Sequence, residues 1–243
     1  MTEPRLRLMA TPGDGLTRLL KTSRDLLAGV SRPRVGYLPA AAMGDNYLDL
    51  NRAAFREFAE IELLDTVGMD MGSIQRVLDR ASLLYVPGGN TFVLAARLQK
   101  IGLVTELAQR VRNGLPWVGC SAGAVLCGLD ILNSNDSNDS NDSNDSNDSN
   151  DSNDSNDSND SNAIACRDFD GLGLLPFSLN VHYPPDSSHA ERDERIAAYQ
   201  LFHQRPVLAL EDDALLRVDG SKVSLTEGRA WLFDGSGRRM PFR

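Results

Sequence analysis

Pro116-Trp-Val-Gly-Cys-Ser-Ala-Gly-Ala-Val-Leu-Cys-Gly128 is the stretch from which the chain is best read. Pro116 to Gly119 has the character of a short buried strand, and Ala122 to Leu129 that of a helix start. Between them, Gly119-Cys120-Ser121-Ala122-Gly123 is a Gly-x-Ser-x-Gly pattern. That order makes a sharp strand-to-helix turn that lifts a serine oxygen out of a sheet. Small neighbours are required because the turn is crowded. Ser121 is therefore a candidate nucleophile, and the free N–H of Ala122 a candidate donor to charge developing beside it. Five residues of Gly and Ala packed for their own sake would look the same. The rest of the chain must supply a base and a second donor.

Working outward, short apolar runs alternate with amphipathic stretches. Leu6 to Ala10, Val35 to Ala42, Ile61 to Val67 and Leu83 to Pro87 read as strands. Leu16 to Val30, Leu48 to Glu60, Ile74 to Arg80, Thr91 to Gln99 and Val104 to Asn113 read as helices. This alternation predicts an α/β fold with a mainly parallel sheet sandwiched by helices. Past His182 come a Glu- and Arg-rich helix, Ala190 to His203, and four short strands: Pro206 to Glu211, Ala214 to Asp219, Lys222 to Thr226 and Ala230 to Asp234. The turns Asp219-Gly-Ser and Asp234-Gly-Ser are hairpin signals, so an antiparallel C-terminal edge is expected.

The net charge of −9 comes from one segment. From Ser134 the chain repeats Ser-Asn-Asp nine times, and those nine aspartates leave 25 negative charges against 25 positive ones elsewhere. The remainder has no bias toward nucleic acid or an anionic membrane. The tract at 134–162 holds no apolar residue, so it reads as a disordered insert in a single domain spanning 1–243. Three cysteines, with no Cys-x-x-Cys pair, fit a reduced protein and no structural metal. No apolar run approaches membrane-spanning length, and the expected compartment is the cytoplasm.

A serine needs a base, and there are three histidines. His203 lies in a last helical turn and His189 in a polar loop, and both suit surface roles. His182 follows the apolar run Leu174 to Val181 and precedes Tyr183-Pro-Pro, which puts it at a strand tip, where active sites of open α/β sheets collect. Pro87-Gly88-Gly89-Asn90-Thr91 is a glycine pair at another strand tip. Its backbone can approach a substrate oxygen, and such a donor is worth about 3–4 kcal/mol in a transition state. Taken alone it also reads as a helix cap, with Asn90 or Thr91 as N-cap.

Together these motifs resemble a known family. Gly-Gly-Asn-Thr-Phe at 88–92, Gly-x-Ser-Ala-Gly-Ala at 119–124, Asn-Val-His-Tyr at 180–183 and Arg-Asp-Glu-Arg-Ile at 192–196 are similar to peptidase E, the aspartyl dipeptidase of the S51 serine peptidases. The resemblance implies a class I glutamine amidotransferase-like fold with serine in place of that fold's cysteine. Cys120, one residue too early, is then expected to be buried in the strand. Carried over, Ser121 is the nucleophile, His182 the base, and Gly88 or Gly89 with Ala122 the oxyanion donors. Arg192 matches the arginine that holds an N-terminal aspartate, with Asn90 as a second substrate-binding residue. For the acid that orients His182, Glu211 is preferred, with Asp212 next and Asp136, at the mouth of the repeat, as the other alternative. A disordered tract is a poor platform for an orienting carboxylate. The implied activity is hydrolysis of short peptides, Asp-Xaa dipeptides foremost, through an acyl-enzyme. It needs no metal or organic cofactor and no nucleic-acid or membrane partner, and it is compatible with a homodimer. Alternatives are a broader small-peptide hydrolase, an isoaspartyl peptidase like cyanophycinase, and a non-catalytic ligand-binding member of the fold.

Overall fold

The computed structural model describes residues 3–134, 166–185 and 189–243. The Ser-Asn-Asp tract beyond Ser134, Asp136 included, lies outside them. The first half alternates as the hydrophobic pattern predicts: β1 Arg5–Met9, α1 Thr17–Leu26, β2 Arg34–Tyr37, α2 Leu48–Phe55, β3 Glu60–Leu63, α3 Met71–Arg80, β4 Leu83–Val86, α4 Thr91–Lys100, α5 Leu103–Arg112, β5 Trp117–Cys120 and α6 Ala122–Val125. The second half holds β6 Ser178–Asn180, α7 Ala190–His203, β7 Val207–Leu210, β8 Leu215–Asp219, β9 Lys222–Glu227, β10 Ala230–Phe233 and β11 Arg239–Phe242.

The main sheet has the order β3-β2-β4-β5-β1-β8-β9. Its first five strands are parallel, and β8 and β9 join antiparallel at one edge. Both faces are covered, so each parallel strand divides its side chains between two cores. Leu84 and Val86 of β4 enter one apolar cluster with α4 and α5, while Leu83 and Tyr85 enter the other with α1 and α2. The period-two alternation of a strand is the cause.

The late strands depart from the expected arrangement. Only β8 and β9 extend the main sheet. The others form a second sheet in the order β11-β10-β7-β6, in which β6 runs parallel to β7. The run at 206–211 is thus not an edge of the main sheet. It is the partner of the strand that ends before His182. The pairing Ser178↔Val207, Leu179↔Leu208 and Asn180↔Ala209 sets that register. Tyr183 N–H donates to the Leu210 carbonyl at 2.9 Å and carries the pairing one step beyond the strands. This register brings the ends of two distant segments side by side. Among the described residues no helix is long and apolar enough to cross a membrane.

Candidate active site

Ser121 sits at the tip of β5 with φ 49° and ψ −115°, a left-handed conformation costly for a residue with a Cβ. The surroundings over-determine it. Its N–H donates to the Met9 carbonyl at 2.9 Å, and its carbonyl accepts from Ala124 and Val125 at 2.8 and 3.0 Å. Gly123 allows the closest approach: a Cβ there would stand 2.1 Å from the Val86 carbonyl oxygen. The indole Nε1 of fully buried Trp117 donates to the Gly123 carbonyl at 3.0 Å and ties strand start to helix start. The helix itself is shorter than the apolar run suggests, four residues rather than eight. The Ala122 N–H, in its first turn, has no carbonyl one turn earlier to bond.

His182 meets this serine. Its Nε2 lies 3.0 Å from Ser121 Oγ, and its Nδ1 lies 2.6 Å from Asp212 Oδ1. A carboxylate on Nδ1 accepts that ring proton and leaves Nε2 bare to receive one. His182 also has a left-handed backbone, φ 56°, so both members of the contact sit at strained positions. The Asp212 carboxyl is held below its ordinary value of 3.8 by its hydrogen bond from His182, against the opposing effect of burial. The charges of His182 and Arg18 act in the same downward direction.

Of the candidate acids, Glu211 does not face the histidine. Its side chain is buried, accepting from Arg229 Nε at 2.9 Å and from Trp231 Nε1 at 3.0 Å. Its N–H donates to the Arg229 carbonyl. The chain turns just past β7, with Ala214 N–H donating to the Glu211 carbonyl at 2.9 Å, and the turn separates the two side chains. Glu211 turns toward β10, and Asp212 toward His182. The preference for Glu211 over Asp212 is corrected accordingly.

Two residues missed in the sequence hold Asp212 in place. Thr11 Oγ1 donates to the Asp212 carbonyl at 3.0 Å, and Arg18 Nη1 donates to the same oxygen at 3.2 Å and to the Thr11 carbonyl at 3.1 Å. Arg18 is anchored in turn by Glu227 Oε2 at 3.2 Å. Thr11 lies just past β1 and Arg18 in the first turn of α1, both about 200 residues away in sequence, and no local pattern marks them.

Gly88 and Gly89 lie beside the serine. A Cβ on Gly88 would come 3.0 Å from Ser121 Cβ. Gly89 has φ 130°, and a Cβ there would stand 2.5 Å from the Ala41 carbonyl oxygen. Asn90 caps α4, its Oδ1 accepting from Val93 N–H at 2.8 Å, while its own N–H donates to Ala41. Arg192 lies on the histidine side: Nη1 donates to Asn180 Oδ1 at 3.1 Å and to the Val181 carbonyl at 3.4 Å. Its neighbour Asp193 gathers the Tyr183 hydroxyl, His189 Nδ1 and Arg239, and clamps α7 to the chain just past His182. His203 stacks on Tyr199. Cys120 is buried as expected, and burial pushes its thiol up to about 12, with a hydrogen bond to Tyr85 pulling the other way.

A cleft of about 560 Å³ reaches Ser121, with Gly88 and Gly89 also in its lining and His182 not among the described lining residues. Tyr37, Tyr85, Met43, Tyr47 and Leu50 form much of its wall.

A histidine within hydrogen-bond reach of a serine through one ring nitrogen and of an aspartate through the other, beside a glycine pair, forms a Ser-His-Asp constellation on an α/β fold. The chain belongs to peptidase family S51, whose sequence model matches residues 10–226. It is 30% identical over 199 residues to peptidase E of Streptomyces coelicolor, covering 79% of this chain and 70% of that one. It is 31% identical over 170 residues to a Drosophila melanogaster protein described as a probable alpha-aspartyl dipeptidase, covering 67% and 61%. In fold it is similar to a Listeria monocytogenes EGD-e protein provisionally assigned as a peptidase E, with TM-score 0.68 and 20% identity, covering 93% of this chain and all of that one. Peptidase activity is the function these relatives share.

Proposed function

We propose that this peptidase is a serine-type exopeptidase of short peptides that works through an acyl-enzyme. The observation that carries the reading is the continuous relay Asp212–His182–Ser121, with contacts of 2.6 and 3.0 Å, at a serine forced into a left-handed turn. Ser121 Oγ bonds to the peptide carbonyl carbon as its proton passes to His182 Nε2. The resulting oxyanion lies between the N–H of Ala122 and those of Gly88 or Gly89. The C–N bond then breaks as His182 returns the proton to the departing amine. Water repeats the sequence, giving its proton to His182 and its oxygen to the acyl carbon, and Ser121 is regenerated as the free acid leaves. Asp212 stays charged throughout and fixes the ring.

N-terminal aspartyl dipeptides are the substrate class supported by the name of the Drosophila relative and by the place of Arg192 beside the His182 segment. A second reading, a broader small-peptide hydrolase, is favoured by the cleft, which no cation lines among the described residues. The catalytic proposal is tested with a fluorophosphonate and a dipeptide panel. The reagent should label Ser121, and Ser121→Ala should lower kcat by about 10⁴-fold or more. A protein that neither takes the label nor turns over any short peptide would be a ligand-binding member of the fold.

A further inference from the structure

We infer that the cleft beside Ser121 is the subsite for the residue whose carbonyl is attacked, and that it takes an apolar side chain in preference to an acidic one. This rests on the acyl-transfer reading above and deepens its second, broader substrate reading in place of the aspartyl one. Which half of the substrate the cleft holds follows from proton transfer. His182 must hand its proton to the departing amine, so the leaving residue occupies the His182 side. The cleft is bounded by Ser121 and by Gly88 and Gly89, and His182 is not among its lining residues. What fills it is therefore the acyl half of the substrate.

Its chemistry then selects the side chain. Of the large apolar residues that the described structure leaves exposed, three stand on this one cleft: Met43, Tyr47 and Leu50, at 74, 61 and 57% exposure. Scattered apolar side chains need no explanation, but a group of them around a concave site beside a reactive serine marks a binding surface. Among the described residues the single charged one in the lining is Asp45. The nearby cation Arg97 lines an adjoining recess that shares Pro39, Ala42, Met43, Gly44 and Asn46 with the cleft, and its Nη1 donates to the Ala40 and Ala42 carbonyls. Asn51, 4% exposed, also lines the cleft. Its Nδ2 donates to the Tyr47 carbonyl and the Tyr37 hydroxyl, and its Oδ1 is left with no partner. An aspartate side chain placed here would face a like charge and an unsatisfied acceptor, with no cation among the described lining residues to offset its desolvation. Leucine, methionine or phenylalanine would instead cover the exposed wall.

The experiment is a comparison of kcat/KM for Leu-Leu, Met-Leu, Phe-Leu, Ala-Leu, Leu-Ala and Asp-Leu with the full chain, Ser121→Ala serving as blank. Leu-Leu, Met-Leu and Phe-Leu should exceed Asp-Leu by at least about ten-fold, and Leu-Ala should exceed Ala-Leu. Met43→Arg and Leu50→Arg, both at exposed positions, should each shrink the Leu-Leu to Asp-Leu ratio by about five-fold or more. Ser121-dependent turnover in which Asp-Leu equals or beats Leu-Leu overturns the subsite while leaving the peptidase reading intact. Faster cleavage of Ala-Leu than of Leu-Ala would move the cleft to the leaving residue and overturn it too. No turnover of any peptide, with Ser121 unlabelled by phosphonate, removes both.

Discussion

Glu211, Asp212 and Asp213 stand side by side in the sequence, and only their orientation in space separates them. Asp212→Asn should therefore lower kcat by about 10³–10⁴-fold, since an amide favours the wrong ring tautomer on His182. Glu211→Gln should leave kcat within about three-fold and instead lower thermal stability, because a buried carboxylate bound by Arg229 and Trp231 loses its charge-assisted bond. Equal kinetic losses in the two variants would place the orienting role elsewhere. The pH dependence has a definite sign. Because the folded Asp212 carboxyl lies below its unfolded value, the stability it contributes is present above the ordinary carboxylate range and is lost as pH falls through the depressed value. The stability gap between wild type and Asp212→Asn, read by denaturant unfolding, should narrow as pH falls below about pH 4. The cysteines make the complementary case. All three are buried and their thiols are raised, Cys120 to about 12. Iodoacetamide at pH 8 should leave the native enzyme fully active and modify it only after unfolding. Ser121 and His182 were legible because a turn and a strand tip are local signals. The acid was not, since which of three adjacent carboxylates faces the histidine depends on how 207–212 packs between β6 and β10.

At the level of the element, the turn at Ser121 is held by contacts with three strands. Met9 of β1 accepts its N–H, Val86 of β4 crowds Gly123, and Trp117 of β5 bonds the Gly123 carbonyl. Gly119 and Gly123 announced this crowding in the sequence, and the tryptophan bond did not. Gly123→Ala should be among the most damaging small substitutions, because the added carbon meets backbone rather than a yielding side chain. A loss of about 2–3 kcal/mol or more, measured by urea unfolding, is expected. The loop carrying Asp212 is secured differently, by Arg18 from α1. Arg18→Met keeps much of the side-chain volume but removes the donors to Thr11 and Asp212. It should lower kcat about ten-fold with KM nearly unchanged, the pattern of a carboxylate displaced from its ideal position. An unchanged kcat would mean that Thr11 alone fixes the loop.

Over the whole molecule, the alternation of strands and helices was sufficient to predict the parallel sheet, and each of its five parallel strands arises from a run visible in the sequence. The second sheet was not readable in that way. Short late strands separated by Gly turns look alike whether they extend one sheet or begin another, and the β6–β7 pairing joins segments nearly thirty residues apart through a parallel crossover. That pairing is also what builds the site, since it sets His182 beside Asp212. It bears directly on the Ser-Asn-Asp tract, which lies in the chain between Ser121 and His182. The Nδ1 of His182 already has a carboxylate partner in Asp212, so an aspartate from the tract is not needed to orient it. Excision of Ser137 to Asn162, and separately Asp136→Ala, should keep kcat/KM for the best dipeptide within about two-fold of wild type, while Asp212→Asn in the same background abolishes it. A chain shortened there closes a smaller loop and should melt no lower than the parent. Collapse of activity on changing Asp136 alone, with Tm unchanged, would transfer the orienting role from Asp212 to the first aspartate of the repeat.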